Sequence, residues 1–474
     1  MHTVILGNNP AIQAYRSSLS RAICCSTVLG QTSPLEKLPI GLITDIAKLL
    51  AFDDIKNLSC VSWVMRDAVL RLLFCTLSIT CPVDPDRDLD GFIDKYKELI
   101  SRLHLHIKLG PNPDQGSDHD SDEEQPEAPS IWGTSSRDTV KNIVQGQILS
   151  HIKTLSVRFD PDQFEQDGQW DDEIDVPSIH VFEDSEDWDR VHMREGKYFW
   201  RAQCTEVWNE IAANPNVDSL KIFNLLPKKS SAWLTNEWKA FLGKLEDLDV
   251  SLFGADNGAG WKAHKMPGFY DFVTTLPELM MQHASKVTRL RLEANEEGLL
   301  GSTSDVHDVP LPLEDSNMPS LRILHLENIM LGNEVLDFIR HHANTLQEIH
   351  LHNCMCDRSE DDPSWSDLWK LICEVTTAVA EVSFIQDKTP PLAQGEEYGD
   401  SVPTKEDSDA GKKVRKLLAE DKSLILWRYV CVDDKYGMVF EQQEDNIEHF
   451  EQGNDQLEYT KLLEKLSERR KKAL

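Results

Sequence analysis

Seven times between Ile152 and Phe384 the chain repeats one spacing, apolar-x-x-apolar-x-apolar. The copies are Ile152-Leu155-Val157, Val217-Leu220-Ile222, Leu245-Leu248-Val250, Val287-Leu290-Leu292, Leu321-Leu324-Leu326, Leu346-Ile349-Leu351 and Val379-Val382-Phe384, at intervals of 65, 28, 42, 34, 25 and 33 residues. The last two apolar positions of each copy alternate with polar residues, the period of a strand with one buried face. Short strands this far apart are too distant for hairpins. They pair in parallel only if something crosses over between them.

Most copies are preceded by a run with helical spacing. Trp200, Cys204, Val207, Trp208 and Ile211 precede the second; Trp238, Phe241 and Leu242 the third; Phe269, Phe272, Val273, Leu276 and Met280 the fourth. Val335, Leu336 and Ile339 precede the sixth, and Trp365, Leu368, Trp369 and Ile372 the last, with breakers such as Asn214-Pro215 and Met318-Pro319 between helix and strand. A helix alternating with a short strand every 25 to 40 residues or so resembles the leucine-rich repeat. The copies at Val287 and Leu346 extend to that family's Asn/Cys position, at Asn295 and Cys354, where the side chain turns inward and satisfies backbone groups as the strand ends. The other copies carry Leu225, Phe253, Ile329, Asp160 and Asp387 there. The resemblance therefore implies an irregular horseshoe, a parallel sheet with outer helices.

Ahead of the repeats, residues 34–76 read as three short helices. Pro39 suits a first helical turn, and Ile43, Ile46, Ala47 and Leu50 follow on one face. Asp53 or Asp54 can cap a second helix carrying Ile55, Leu58 and Val61, and Ser62 a third with Met65, Ala68, Val69 and Leu72 inward. Leu38-Pro39, Asp54-Ile55 with Leu58, Val61-Ser62 and Arg66 match the order and spacing of the F-box, which this segment resembles. Ile40 stands where that family usually has an acid, and the aromatic Trp63 comes a few residues early. The resemblance implies docking on the Skp-type adaptor of a cullin–RING ubiquitin ligase through Leu38, Pro39, Ile43, Ile46, Leu58 and Val61.

Composition narrows the partners. With 49 basic against 81 acidic residues the net charge is −32, which repels a phosphate backbone, and there is no large basic stripe. Nucleic acid and anionic membrane are not expected as partners. No apolar stretch is long enough to span a bilayer, and ten scattered cysteines without a C-x-x-C pair suit a reducing compartment, cytoplasmic or nuclear.

The motifs that suggest chemistry are weak. Gly258-Ala259-Gly260-Trp261-Lys262-Ala263 fits G-x-G-x-x-A, but Trp261, Lys262, His264 and Pro267 give no helix for a dinucleotide to sit on. Neither a phosphate-cradling GK[ST] loop nor a G-x-S-x-G elbow is present. His350, His352, Cys354 and Cys356 alternate, so a strand sends the histidines outward and no shared zinc site follows. No enzyme, metal or cofactor is expected. Arg469-Arg470-Lys471-Lys472 reads as cations at a helix C-terminus rather than a nuclear address.

The expected architecture is α/β: an unstructured segment 1–33, the helical module 34–76, a solenoid over 77–387 with acidic disordered loops at 111–130 and 160–190, a linker 388–411 and a cap 412–474. In the solenoid's lead-in, Leu77 to Thr80 reads as a strand and Phe92 to Ile107 as a helix running into the alternating LHLHIKL. The cap is a hairpin turning at Asp433-Asp434-Lys435 and a helix carrying Tyr459, Leu462, Leu463 and Leu466. A target protein is expected on the outward strand positions Arg289, Arg291, Glu293, Arg322, His325, Glu327, Glu348, His350 and His352. The resemblance implies a substrate-recognition subunit of an SCF-type ligase; an interaction scaffold using the same module outside any ligase is the alternative.

Overall fold

The computed structural model describes residues 4–5, 33–84, 88–113, 127–134, 137–162, 164, 168, 170, 179–301, 309–357, 362–390, 392, 409–441 and 443–473. Each of the seven apolar spacings ends in a strand: β4 (Thr154–Phe159), β5 (Ser219–Leu225), β6 (Asp247–Leu252), β7 (Arg289–Glu293), β8 (Ile323–Glu327), β9 (Glu348–His352) and β11 (Glu381–Ile385). Two more precede them, β2 (Thr76–Cys81) and β3 (Arg102–Ile107), and the two-residue β1 (Val4–Ile5) pairs with β2. The helix expected from Phe92 runs instead from Leu89 to Tyr96, and its alternating tail is β3.

These ten strands form one parallel sheet in strict chain order, β1 to β9 and then β11. The register aligns the spacings: Leu77, Leu103, Leu155, Leu220, Leu248, Leu290, Leu324, Ile349 and Val382 stand side by side. All nine are buried. A crossover of constant hand that always steps to the same side returns on the same face of the sheet, so the helices cover that face. They are α4 (Leu89–Tyr96), α5 (Arg137–Val144), α6 (Trp188–Lys197), α7 (Phe199–Ala212), α8 (Asn236–Leu242), α9 (Pro267–Leu279), α10 (Asn333–His341) and α11 (Trp365–Val375). Every apolar residue assigned above to these helical runs is buried, including Trp200, Trp208, Trp238, Trp365 and Trp369.

The strand ends are built one residue earlier than the expected Asn/Cys position. Asn224, Asn328 and Asn353 take left-handed φ of 55°, 55° and 50°, a region Asn tolerates better than most side chains. The Asn224 and Asn328 amides donate to the carbonyls of Phe159 and Ala294 on neighbouring segments, at 3.0 and 3.1 Å. Cys354 does turn inward, its thiol 3.4 Å from the Leu326 carbonyl. Asn295 does not: its side chain accepts locally from the Glu297 N–H at 2.9 Å.

In front of the sheet lie α1 (Ile40–Ala47), α2 (Phe52–Ser59) and α3 (Trp63–Leu73). Ser62 caps α3, accepting from the Met65 N–H at 3.3 Å, but Ala51 rather than an aspartate is the N-cap of α2. Asp53 and Asp54 sit in its first turn, where the helix dipole favours them. Thr44 ties α1 to α3 through a 2.8 Å bond to the Ala68 carbonyl. Phe74, next after α3, stacks on Tyr96 of α4 with centroids 4.1 Å apart, which joins this module to the first crossover.

The stretch expected as a disordered acidic loop at 160–190 is in part a structural element. Phe164, Trp170, Ile179, Val181 and Phe182 are buried, and Phe164 packs on Trp170, Phe182, Trp200 and Phe253. Its aromatic content, masked in the sequence by the surrounding acids, gives it something to bury. Glu186 follows, also buried. Most of the acidic loop at 111–130 and of the linker 388–411 lies outside the described residues, as does most of segment 1–33.

At the far end, β12 (Tyr429–Val432) and β13 (Val439–Glu441) form the expected hairpin, and β12 also pairs in parallel with β10 (Cys356–Asp357). Helices α12 (Asp409–Glu420) and α13 (Gln443–Gln452) flank it. The last helix, α14 (Asn454–Ala473), lies along α11, burying Leu462 and Leu466 while Leu463 stays exposed. Arg469 and Arg470 donate to the Val379 and Ala380 carbonyls, each at 2.8 Å, and Lys465 to that of Cys373 at 2.6 Å. Lys465 therefore serves a C-terminal carbonyl of α11, and Arg469 and Arg470 hold the segment between α11 and β11, rather than their own helix.

Candidate functional site

Two surfaces stand out. The first is apolar and belongs to α1–α3. A three-helix module of this size has two small interiors, Ile43-Met65-Ala68 and Ala47-Ile55-Val69-Leu73. The apolar residues left over face outward: Ile40 is 57% exposed, Leu42 51%, Ile46 44%, Leu49 87%, Val61 69% and Trp63 77%. So many large apolar side chains left exposed in so short a segment, with Val64 exposed as well, exceed what scattered surface positions explain.

The expected docking residues divide. Pro39, Ile46 and Val61 are exposed. Ile43 is not available, because it is 1% exposed at the centre of the helical triplet. Leu38 and Leu58 pack half-buried against the same Ile43 cluster, so both belong in part to the interior. Ile40, Leu42, Leu49 and Trp63 were missed. Helical spacing alone divides a short amphipathic segment into faces; which face meets the other helices is settled by packing.

The second surface is the sheet face away from the helices. Strand alternation sends Lys221, Asp249, Arg291, His325 and His350 to it in one row across β5 to β9, with Glu293, Glu327 and His352 in the next. Arg291 is its hub, 2.9 Å from Asp249, 2.9 Å from Glu293 and 2.6 Å from Glu327. Arg289 pairs with Asp247, and Lys221 reaches the other Asp249 oxygen at 3.1 Å. His352 bridges Glu327 at 3.1 Å and Asp387 at 2.9 Å. Burial resists the charge on Arg291, but Asp249 and Glu293 more than compensate and hold its pKa above the usual value. Burial pushes the Glu293 carboxyl up, and Arg291 opposes it only in part.

All the expected target-face residues lie here except Arg322. It precedes β8, and Ile323 takes the place beside Arg289. The expectation also stopped short: Lys221, Asp247, Asp249 and Ser383 line the same groove of about 360 Å³. Their outward positions were legible from the same alternation in the flanking copies. Farther along, burial, helped by Arg158 and His106, lowers the His104 pKa to about 4.

Ser383 Oγ lies 2.7 Å from His350 Nδ1, and His350 Nε2 3.3 Å from Glu348, the order of a hydrolytic triad. Side chains stand perpendicular to a sheet whereas its N–H groups lie in the plane, so the strands aim no oxyanion donor at a carbon above Ser383. The sheet adds no further catalytic part to these three side chains. The four donors His350, His352, Cys354 and Cys356 do not converge, since both cysteines are buried on the other side. Gly258 and Gly260 sit in a turn closed by the Asp256–Lys262 bridge, with no helix following until Pro267 apart from one short 3-10 turn. Compared with protein-family models and with curated protein sequences, the chain matches none.

Proposed function

We propose that the chain is a bridging subunit of a cullin–RING ubiquitin ligase. Its α1–α3 module, which resembles the F-box, docks on a Skp-type adaptor, and the polar sheet face of an irregular leucine-rich-repeat solenoid holds a target protein. The observation that carries this reading is the apolar surface of Ile40, Leu42, Ile46, Leu49, Val61 and Trp63 on a module too small to bury it. Each of these side chains is worth about 1.5–3 kcal/mol when removed from water, enough together to anchor a partner. The charged sheet face supports the target half: its charges are already mutually oriented, so a partner meets a preorganised pattern. The contribution to chemistry is proximity, tethering a target lysine near activated ubiquitin.

The test is co-expression with the adaptor followed by affinity capture. Leu49→Asp with Trp63→Asp is expected to abolish capture while leaving the melting temperature within a degree or two, because both side chains already face solvent. Adaptor capture by the double variant at wild-type level refutes the docking. Recovery of adaptor without cullin favours the scaffold reading.

A further inference from the structure

On the polar sheet face, three potential metal donors meet that neither the sequence spacing nor the ligase reading joins. His325 and Glu327 lie two residues apart on β8, so they share a face, and the register sets His352 of β9 beside Glu327. One donor atom from each, an imidazole nitrogen or carboxylate oxygen, lies within 4.8 Å of the others. His352 Nδ1 is 3.1 Å from Glu327 Oε1, and His325 Nε2 is 3.6 Å from Glu327 Oε2. The edge of a tetrahedron around zinc with ligands at about 2.0–2.1 Å is about 3.3 Å. The donors are thus already near the spacing an ion requires.

Two further observations point to a ligand. His325 Nε2 is shielded from solvent and has no hydrogen-bond partner among the described residues, a costly state for a buried polar atom. On the other histidine, Nε2 lies 2.9 Å from Asp387 Oδ2, leaving Nδ1 directed at Glu327. A carboxylate on the far nitrogen is the arrangement that orients metal-bound imidazoles. Asp387 is itself held, accepting from the Asn353 amide and donating its N–H to Asn353 Oδ1, both at 2.9 Å. Arg291, 2.6 Å from Glu327, is the competing cation. Asp249 and Glu293 at 2.9 Å offset its charge, and it holds one Glu327 oxygen while the other faces His352.

We propose that His325, Glu327 and His352 bind one divalent transition-metal ion of the zinc class. Two imidazoles and one carboxylate suit zinc or cobalt better than calcium or magnesium. Three protein ligands leave one position open. It faces the groove that His325 and His352 line, where water or a side chain of a bound protein completes the shell.

The experiment titrates cobalt(II) into the chelator-treated full-length chain and follows visible absorption, then displaces it with zinc. Wild type and His350→Ala are expected to bind one equivalent with tetrahedral-type bands. His325→Ala and His352→Ala are expected to lose at least tenfold in affinity, and Asp387→Asn, which removes only the orienting carboxylate, about 10–100-fold. Circular dichroism melting checks each fold, and His352→Gln replaces any alanine variant that melts early. Absence of a saturable equivalent in the wild type overturns the site. So does binding that survives both histidine substitutions, as it would at the cysteines, or loss of binding in His350→Ala.

Discussion

Glu186→Gln tests how the stretch before α6 is held to the helices and sheet behind it. The carboxylate is 4% exposed. Arg201 Nη1 grips both its oxygens at 2.8 and 3.0 Å, Arg194 Nη1 reaches one at 3.0 Å, and Lys228 Nζ lies 3.6 Å away. Burial alone pushes the carboxyl up, but Arg201, Lys228 and Arg194 outweigh it and hold its pKa at about 2 against an ordinary 4.5. At 1.36 kcal/mol per unit, that shift corresponds to about 3 kcal/mol of stability. The folded-state pKa is depressed, so this stability is present above pH 4.5 and is lost as pH falls towards 2. Glutamine keeps the shape but leaves buried cations without their anion, a change that costs about 3–5 kcal/mol where buried pairs are broken. Urea unfolding of both proteins from pH 7 to pH 3.5 or so reads the result. The variant is expected to be about 3 kcal/mol less stable at neutral pH, the gap narrowing by up to about 1.4 kcal/mol per unit of pH below 4.5. A neutral-pH gap under about 1 kcal/mol, or one that does not change with pH, refutes the reasoning.

Two further substitutions separate roles. Ile43→Ala, at the buried centre of α1–α3, is expected to cost about 2–5 kcal/mol, and Leu49→Ala, 87% exposed, less than about 0.5 kcal/mol. Equal melting temperatures for the two would mean that the helices pack through another face. Arg469→Ala removes the bonds to the Val379 and Thr376 carbonyls and is expected to cost about 1.5–3 kcal/mol, with faster amide exchange in α14 and the end of α11. Unchanged exchange there would show that α14 is held by Leu462 and Leu466 alone.

The sheet was legible because its signal is local and repeated. A strand with one buried face must alternate, and strands separated by helical runs must pair in parallel, so Leu155, Leu220, Leu248 and their successors could be assigned to one face from spacing alone. The outward row followed from the same parity; Arg322 has the parity of the buried Leu324 and stands just before the strand. The turn asparagines were also visible in retrospect, at the same offset behind Ile222, Leu326 and Leu351. The α1–α3 helices were legible as elements, but not the side they present: Ile43 and Ile46 share a helical face in sequence, and only contact with Met65 and Ala68 makes one interior and the other surface.

Periodicity in the chain therefore determined the α/β layering, the parallel pairing and the alternation of core and solvent, since each depends on residues a few positions apart. Tertiary structure alone decided which residues 15 to 93 positions apart would meet. Glu186 with Arg201 and Lys228, His352 with Glu327 and Asp387, and Arg469 with the Thr376 cap of α11 are such pairings. Distance along the chain carries no information about these contacts; the sheet register and the helix packing create them.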